Sequence, residues 1–241
     1  MGALNLIILL CMGLLAGSFV QCSVLPVEKC TLTDQACLIP ATQKMLPIFV
    51  AGMPEYDVEV MDPLPLNDVK FDISGFQFSL TGGTLKGLKN VVIDDSSWDL
   101  DKKVYKLSFH GDVSIKGHYT AGGQILLLPI SGDGECKMKF KNMKLSASLN
   151  YDLVKKDGKD HVKFTSYSFD FEIQDNANYN LTNLFNGNKE LSDAMLKFLN
   201  ENWRQISAEF GKPVCEVAVK QMIKNINNFF KKLPIGEIAS I

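Results

Sequence analysis

Apolar residues recur at every second position over most of residues 56–173. Val58 and Val60, Val69, Phe71 and Ile73, Phe76, Phe78 and Leu80, and Val113 and Ile115 keep this step, and Ile125, Leu126, Leu127 and Leu128 add a continuous apolar run. Alternation of this kind marks strands with one buried face. The Gly, Asp and Asn clusters between them mark turns, so the segment reads as one long antiparallel meander. Gly122-Gly123 is predicted to join a strand ending near Thr120 to one starting at Gln124. Lys156-Asp157-Gly158-Lys159 is predicted to join residues 136–154 to residues 161–173. In that hairpin, residues whose numbers sum to about 315 oppose one another. Leu145, Ala147, Leu149, Tyr151 and Leu153 then share the inward face, and Ser146, Ser148, Asn150 and Asp152 the outward one.

After Asn180 the period changes. Leu191, Met195, Phe198, Leu199, Trp203, Ile206 and Phe210 recur at three and four residues, followed by Val214, Val217, Ile223, Ile226, Phe230 and Leu233. This is a helical pattern, punctuated only at Gly211-Lys212-Pro213, where one long helix kinks or a second begins. Residues 33–50 also show helix-like spacing. Pro40 and Pro47 interrupt them, which predicts short helical pieces with a kink, and Gly52-Met53-Pro54 ends the segment.

The first 22 residues contain no charged side chain, and Leu6 to Leu15 form an apolar run too short to span a bilayer. With small residues following, this is the pattern of a secretory signal peptide, with cleavage expected before Ser23 and Ala16-Gly17-Ser18 as the competing site. The mature chain, residues 23–241, is then a single exported domain. Cleavage leaves Cys30, Cys37, Cys136 and Cys215, an even number in an oxidising compartment. The short Cys30 to Cys37 spacing suits a local loop, which assigns a long-range bridge to Cys136 and Cys215; four cysteines still allow three connectivities. Asn180-Leu181-Thr182 is a sequon that export makes usable for glycosylation at Asn180.

Charge narrows the partners. With 25 Lys and Arg against 27 Asp and Glu, the formal net charge is -2, which disfavours a nucleic-acid partner. Candidate chemistry is sparse. There is no nucleophile elbow of the G-x-S-x-G type, so no enzyme is expected. His110 and His118 lie eight apart in a strand-like segment, about 26 Å, too far to share a metal. His161 follows a charged turn and is expected to be solvated. Asp94, Asp95, Asp99 and Asp101 lack the spacing of a calcium loop and are expected in a solvated hairpin connection. Gly132-Asp133-Gly134 is expected to be a turn. No metal or cofactor is implied. What remains is apolar surface: the chain has 15 Phe and 9 Met, enough to line an internal ligand site.

Several short motifs occur in an order that resembles the insect haemolymph juvenile hormone binding proteins and their takeout relatives. They are Cys30-x6-Cys37, Gly52-Met53-Pro54, Met61-Asp62-Pro63-Leu64, Gly117-His118-Tyr119 with Leu128-Pro129-Ile130, and Leu184-Phe185-Asn186-Gly187 leading to Phe198-Leu199-Asn200-Glu201-Asn202-Trp203. The resemblance implies an α+β fold of the tubular lipid-binding type. A long C-terminal α-helix would be wrapped by a strongly curved antiparallel β-sheet, with a short N-terminal helix as a gate.

It further implies a monomeric carrier secreted into haemolymph, with no stable membrane anchor and juvenile hormone as its small hydrophobic ligand. A second disulfide is described for the hormone carriers, and Cys136 with Cys215 fits that pattern. Tyr151 is the candidate for holding the hormone's epoxide, with Leu46, Val50, Leu149, Phe169 and Trp203 as further ligand contacts. Alternatives are a takeout-like carrier of another lipid, quinone or odorant, and a signalling protein with a filled core.

Overall fold

The alternating segment folds into one antiparallel sheet. The computed structural model describes residue 25 and residues 29–240, so the expected leader, with Cys11 and Cys22, lies outside the described residues. The elements in order are β1 (Cys30–Thr31), α1 (Gln35–Val50), a 3-10 turn (Pro54–Tyr56), β2 (Leu64–Pro65), β3 (Val69–Ile73), β4 (Phe76–Lys86), a 3-10 turn (Leu88–Asn90), β5 (Val92–Asp99), β6 (Val104–Ile125), β7 (Leu128–Pro129), β8 (Gly132–Lys156), β9 (Lys159–Leu181), a 3-10 turn (Phe185–Gly187), α2 (Lys189–Glu201), α3 (Trp203–Lys232), α4 (Ile235–Ile238) and β10 (Ala239–Ser240).

The main sheet runs β2-β4-β6-β8-β9, with β3 on β4 and β5 and β7 on β6. Strand β4 pairs with the second half of β6 and β5 with the first half, so the two lie end to end along one edge of it. A straight strand of the 25 residues of β8 would measure about 80 Å. Register shifts between Gly111 and Val113, between Lys141 and Met143, and between Asn150 and Tyr151 bend the long strands instead. The result is an open, curved sheet with the C-terminal helix in its hollow.

The β8–β9 hairpin turns where the sequence predicts, with Lys156 opposite Lys159 and Tyr151 opposite Phe164. Beyond Tyr151 the bulge moves the pairing by one. Leu145, Ala147, Leu149 and Tyr151 are buried as expected, whereas Leu153 is exposed near the hairpin end.

The Gly122-Gly123 turn is corrected. Strand β6 continues through both glycines, and the chain reverses at Leu126 and Leu127, both at positive φ, with Leu127 88% exposed. Gly123 serves a close approach: at its φ of +89° a Cβ would sit 2.0 Å from the Gly75 carbonyl oxygen. Gly132-Asp133-Gly134 is likewise no turn but the start of β8, paired with Ala121, Thr120 and Tyr119. Of the four aspartates, Asp94, Asp95 and Asp99 belong to β5.

Helix α1 is one helix despite Pro40 and Pro47, started by Asp34, whose Oδ1 accepts the Cys37 N–H at 3.1 Å. Helix α3 runs unbroken through Pro213 for 30 residues, about 45 Å. The interruption falls instead at Asn202, where φ is -102° and ψ is 25° and the side-chain amide donates to the Phe198 carbonyl at 2.8 Å. Amides from these helices also cover the free edge of β9. Asn200 Oδ1 accepts the Tyr179 N–H at 2.7 Å, its Nδ2 donates to the Tyr179 carbonyl at 3.0 Å, and Asn227 Oδ1 accepts the Phe164 N–H at 3.0 Å.

His161 is buried rather than solvated, its Nδ1 3.4 Å from the Phe230 carbonyl, because the end of α3 and α4 close over it. No helix among the described residues is long and apolar enough to cross a membrane.

Candidate ligand site: two apolar chambers

Between the concave sheet and the helices the core is not filled. A first chamber of about 110 Å³ lies between α3 and the sheet, with Phe76, Ile115, Met138, Phe140, Phe210 and Val214 among its walls. A second, of about 200 Å³, lies beneath α1, which contributes Leu38, Met45, Leu46, Phe49 and Val50. Leu88, Phe109 and Met222 line both, so three side chains form the partition between them. Among the described residues, neither wall contains an Asp, Glu, Lys, Arg or His.

The few polar groups are paired across elements. In the first chamber Tyr179 Oη meets Ser207 Oγ at 2.7 Å. In the second, Thr42 Oγ1 is 2.8 Å from Ser96 Oγ, which is 3.1 Å from Tyr105 Oη. Burial pushes both the Tyr105 and Tyr179 phenols up to about 12, so each keeps its proton at neutral pH.

Of the residues expected to touch a ligand, Leu46 and Val50 lie in the wall of the second chamber. Tyr151 does not reach it. Its ring packs edge-on against Trp98 at 5.0 Å, and it is Trp98 that faces the chamber. Rings of Trp98, Tyr105, Tyr151, Phe164 and Phe230 fill this end of the tube, which keeps Tyr151 behind the wall. Leu149, Phe169 and Trp203 also stand outside both linings. The hydroxyls of Thr42, Ser96 and Tyr105 carry no motif in the sequence. The alternation of Tyr105, Leu107 and Phe109 is a sequence signal that places Tyr105 on an inward face.

Among the described residues one disulfide forms, Cys30–Cys37, tying β1 to the first turn of α1. The expected Cys136–Cys215 bridge does not: both are free thiols. Helix α3 leans on β9, while Cys136 sits one strand further in, on β8, with Leu181 of β9 beside it. A bridge needs Cα atoms about 5.5 Å apart, closer than a helix packed on the neighbouring strand comes. Burial pushes the Cys215 thiol up to about 12 and Cys136 to about 11. Asn180, in β9, is exposed.

His110 and His118 serve local contacts on the sheet. His110 Nδ1 lies 2.7 Å from Asp94 Oδ1. His118 sits between Asp133, at 2.6 Å, and Glu135, at 3.2 Å, and these carboxylates raise its pKa, Glu135 most.

The fold of a curved sheet around a long helix is shared with a solved structure, and the sequence with known proteins. Takeout 1 of Epiphyas postvittana superposes with a TM-score of 0.87 at 56% identity, over 89% of this chain and 100% of that one. The circadian clock-controlled protein daywake of Drosophila melanogaster is 26% identical over 225 residues, 88% of this chain and 86% of that one. The juvenile hormone-binding protein of Manduca sexta is 34% identical over 91 residues, 36% of this chain and 40% of that one. The profile of the haemolymph juvenile hormone binding proteins matches residues 7–240. With that match running nearly end to end, this chain belongs to the haemolymph juvenile hormone binding protein family.

Proposed function

We propose that this protein is a secreted carrier of a neutral, elongated hydrophobic molecule, held in the two chambers without chemical change. The observation that carries the reading is the uncharged wall of both chambers, joined through a partition of only three side chains, Leu88, Phe109 and Met222. An ionised ligand would lose its hydration there with no counter-charge. An apolar one gains roughly 25 cal/mol for each Å² removed from water, so burying about 300 Å² corresponds to about 7 kcal/mol, near micromolar affinity. Met222 is unbranched and Leu88 and Phe109 can rotate, so a chain longer than either chamber can thread both. This favours a takeout-like cargo.

Juvenile hormone, an epoxidised sesquiterpenoid ester, is the second reading. It rests on the partial similarity to the Manduca sexta juvenile hormone-binding protein. The free thiols at Cys136 and Cys215 remove the disulfide argument for it. Secretion into haemolymph, glycosylation at the exposed Asn180 and a monomeric state belong to the same proposal.

Solvent extraction of the protein purified from insect-cell medium, followed by mass spectrometry, tests it. The expected result is a copurifying neutral lipid longer than the hormone. A hormone-sized sesquiterpenoid would establish the second reading, and an extract with no lipid from protein that also binds no apolar probe would overturn both.

A further inference from the structure

We propose that the hydroxyls of Thr42, Ser96 and Tyr105 form a head-group site in the second chamber, taking one uncharged hydrogen-bond acceptor, such as an ester or ketone carbonyl, at the end of an otherwise apolar ligand. The inference rests on the carrier reading and names the chemistry of its cargo.

The three groups arrive from three elements. Thr42 comes from α1, Ser96 from β5 and Tyr105 from β6, and their oxygens form a chain with links of 2.8 and 3.1 Å. All three line the second chamber. Ser96 is 1% exposed and Tyr105 7%, so the chain is sealed from the outer surface of the sheet.

Counting hydrogens shows what the chain can do. Each hydroxyl has one hydrogen to donate and two lone pairs to accept with. Two links consume two of the three hydrogens. The third sits at the Thr42 end or the Tyr105 end, which face one another more weakly than either of these links joins its partners, so it is free to turn to a ligand oxygen. A weakly satisfied donor in an apolar wall is unfavourable, and a ligand oxygen reverses that loss. The burial-raised phenol of Tyr105 remains a donor across the neutral range.

The surroundings restrict the ligand oxygen. Among the described residues no cation lines the chamber, so a carboxylate has nothing to neutralise it, whereas a carbonyl needs only the spare hydrogen. From the hydroxyls, the wall continues along Leu46, Phe49, Ile226 and Met222 to the partition, a path for the hydrocarbon tail.

Competition against a bound fluorescent apolar probe, 1-N-phenylnaphthylamine, tests the site. The competitors are methyl laurate, pentadecane, which matches it in heavy atoms, and laurate. In the native protein methyl laurate is expected to displace the probe about five- to tenfold more effectively than pentadecane, the worth of one hydrogen bond, with laurate weakest at pH 8. The double variant Thr42→Val with Tyr105→Phe preserves shape and removes both chain ends, so the two neutral competitors become equal while pentadecane and the probe bind as before. Either single variant loses part of the ester's advantage, so the result does not depend on the double variant folding.

Equal displacement by ester and alkane in native protein would overturn the head-group site and leave the carrier reading standing. So would an ester advantage that survives every variant. Failure of the probe and of all competitors to bind native protein would sink both.

Discussion

Gln43, on the helix that roofs the second chamber, bonds Ile93 as a neighbouring strand would: its Oε1 accepts the Ile93 N–H at 2.8 Å. Its Nε2 meanwhile donates to the Val91 carbonyl at 3.0 Å. One side-chain amide thus satisfies the exposed edge of β5 and fastens α1 to it. Besides Gln43, the polar ties of the helix to this strand are Thr42 to Ser96 and Gln35 to Asp95.

Replacing Gln43 with Ala should therefore loosen the roof more than the fold. Two backbone groups at a strand edge lose their partner, at about 1 kcal/mol each where water cannot replace it. Amide exchange over residues 35–50 is expected to accelerate several-fold, with the β8–β9 hairpin unchanged. Uniform acceleration across the sheet would show instead that α1 is integral to the core. In native protein a bound ligand should slow exchange in this same segment, as expected of a gate.

The thiols give a second prediction. Titration of mature, unreduced protein with a disulfide reagent is expected to find both Cys136 and Cys215 unreactive when folded, because burial holds their pKa values at about 11 and about 12. In denaturant both should react. No reactive thiol in denaturant would mean that the second bridge forms after all.

Gly211 offers a test of ligand length. A Cβ there would stand 2.8 Å from the Phe171 ring, whose far end must then shift, and both residues line the first chamber. Gly211→Ala gains up to about 1 kcal/mol of helix propensity, so the protein should tolerate it. The pushed ring narrows the first chamber. Displacement of an apolar probe by methyl stearate is expected to weaken several-fold, with methyl laurate little affected; an equal change in both would argue against a ligand spanning the partition.

pH dependence should trace to His118. Glu135 and Asp133 raise its pKa in the folded state above the ordinary histidine value of 6.5. The stabilisation is complete below that value and is lost as pH rises through the higher folded pKa. Melting temperature is expected to fall between pH 6 and pH 8, by a small amount because the site is exposed, and His118→Gln should flatten the profile. An unchanged profile in the variant would assign the effect elsewhere.

Much of the fold is legible in the chain because it rests on periodicity. The inward set Leu145, Ala147, Leu149 and Tyr151, the Lys156–Lys159 turn and the change of period after Asn180 all follow from which face meets the core. Where backbone detail decides, the pattern is silent. Gly122-Gly123 reads as a turn, yet the glycines admit the Gly75 carbonyl, and Leu126-Leu127, two residues of low turn propensity, make the reversal. Pro213 reads as a break, but the helix absorbs one missing N–H while Asn202 interrupts it. The ligand site is the least legible part. Facing inward is a property of one strand; reaching a chamber depends on which rings fill the tube, and Trp98 takes the place that alternation offers Tyr151.

The pairing of β1 with β10 also sets an order of events. Cys30 lies beside Ala239, and Lys29 Nζ donates to the Gly236 carbonyl across 207 positions of sequence. Through the Cys30–Cys37 disulfide this contact reaches the first turn of α1. The root of the roof is thus completed by residues about two hundred positions downstream of it. Contacts so distant in sequence form late, after the sheet that lies between them. Until then the apolar walls have no cover, and the closing step in the birth of the molecule is the one that separates its interior from water.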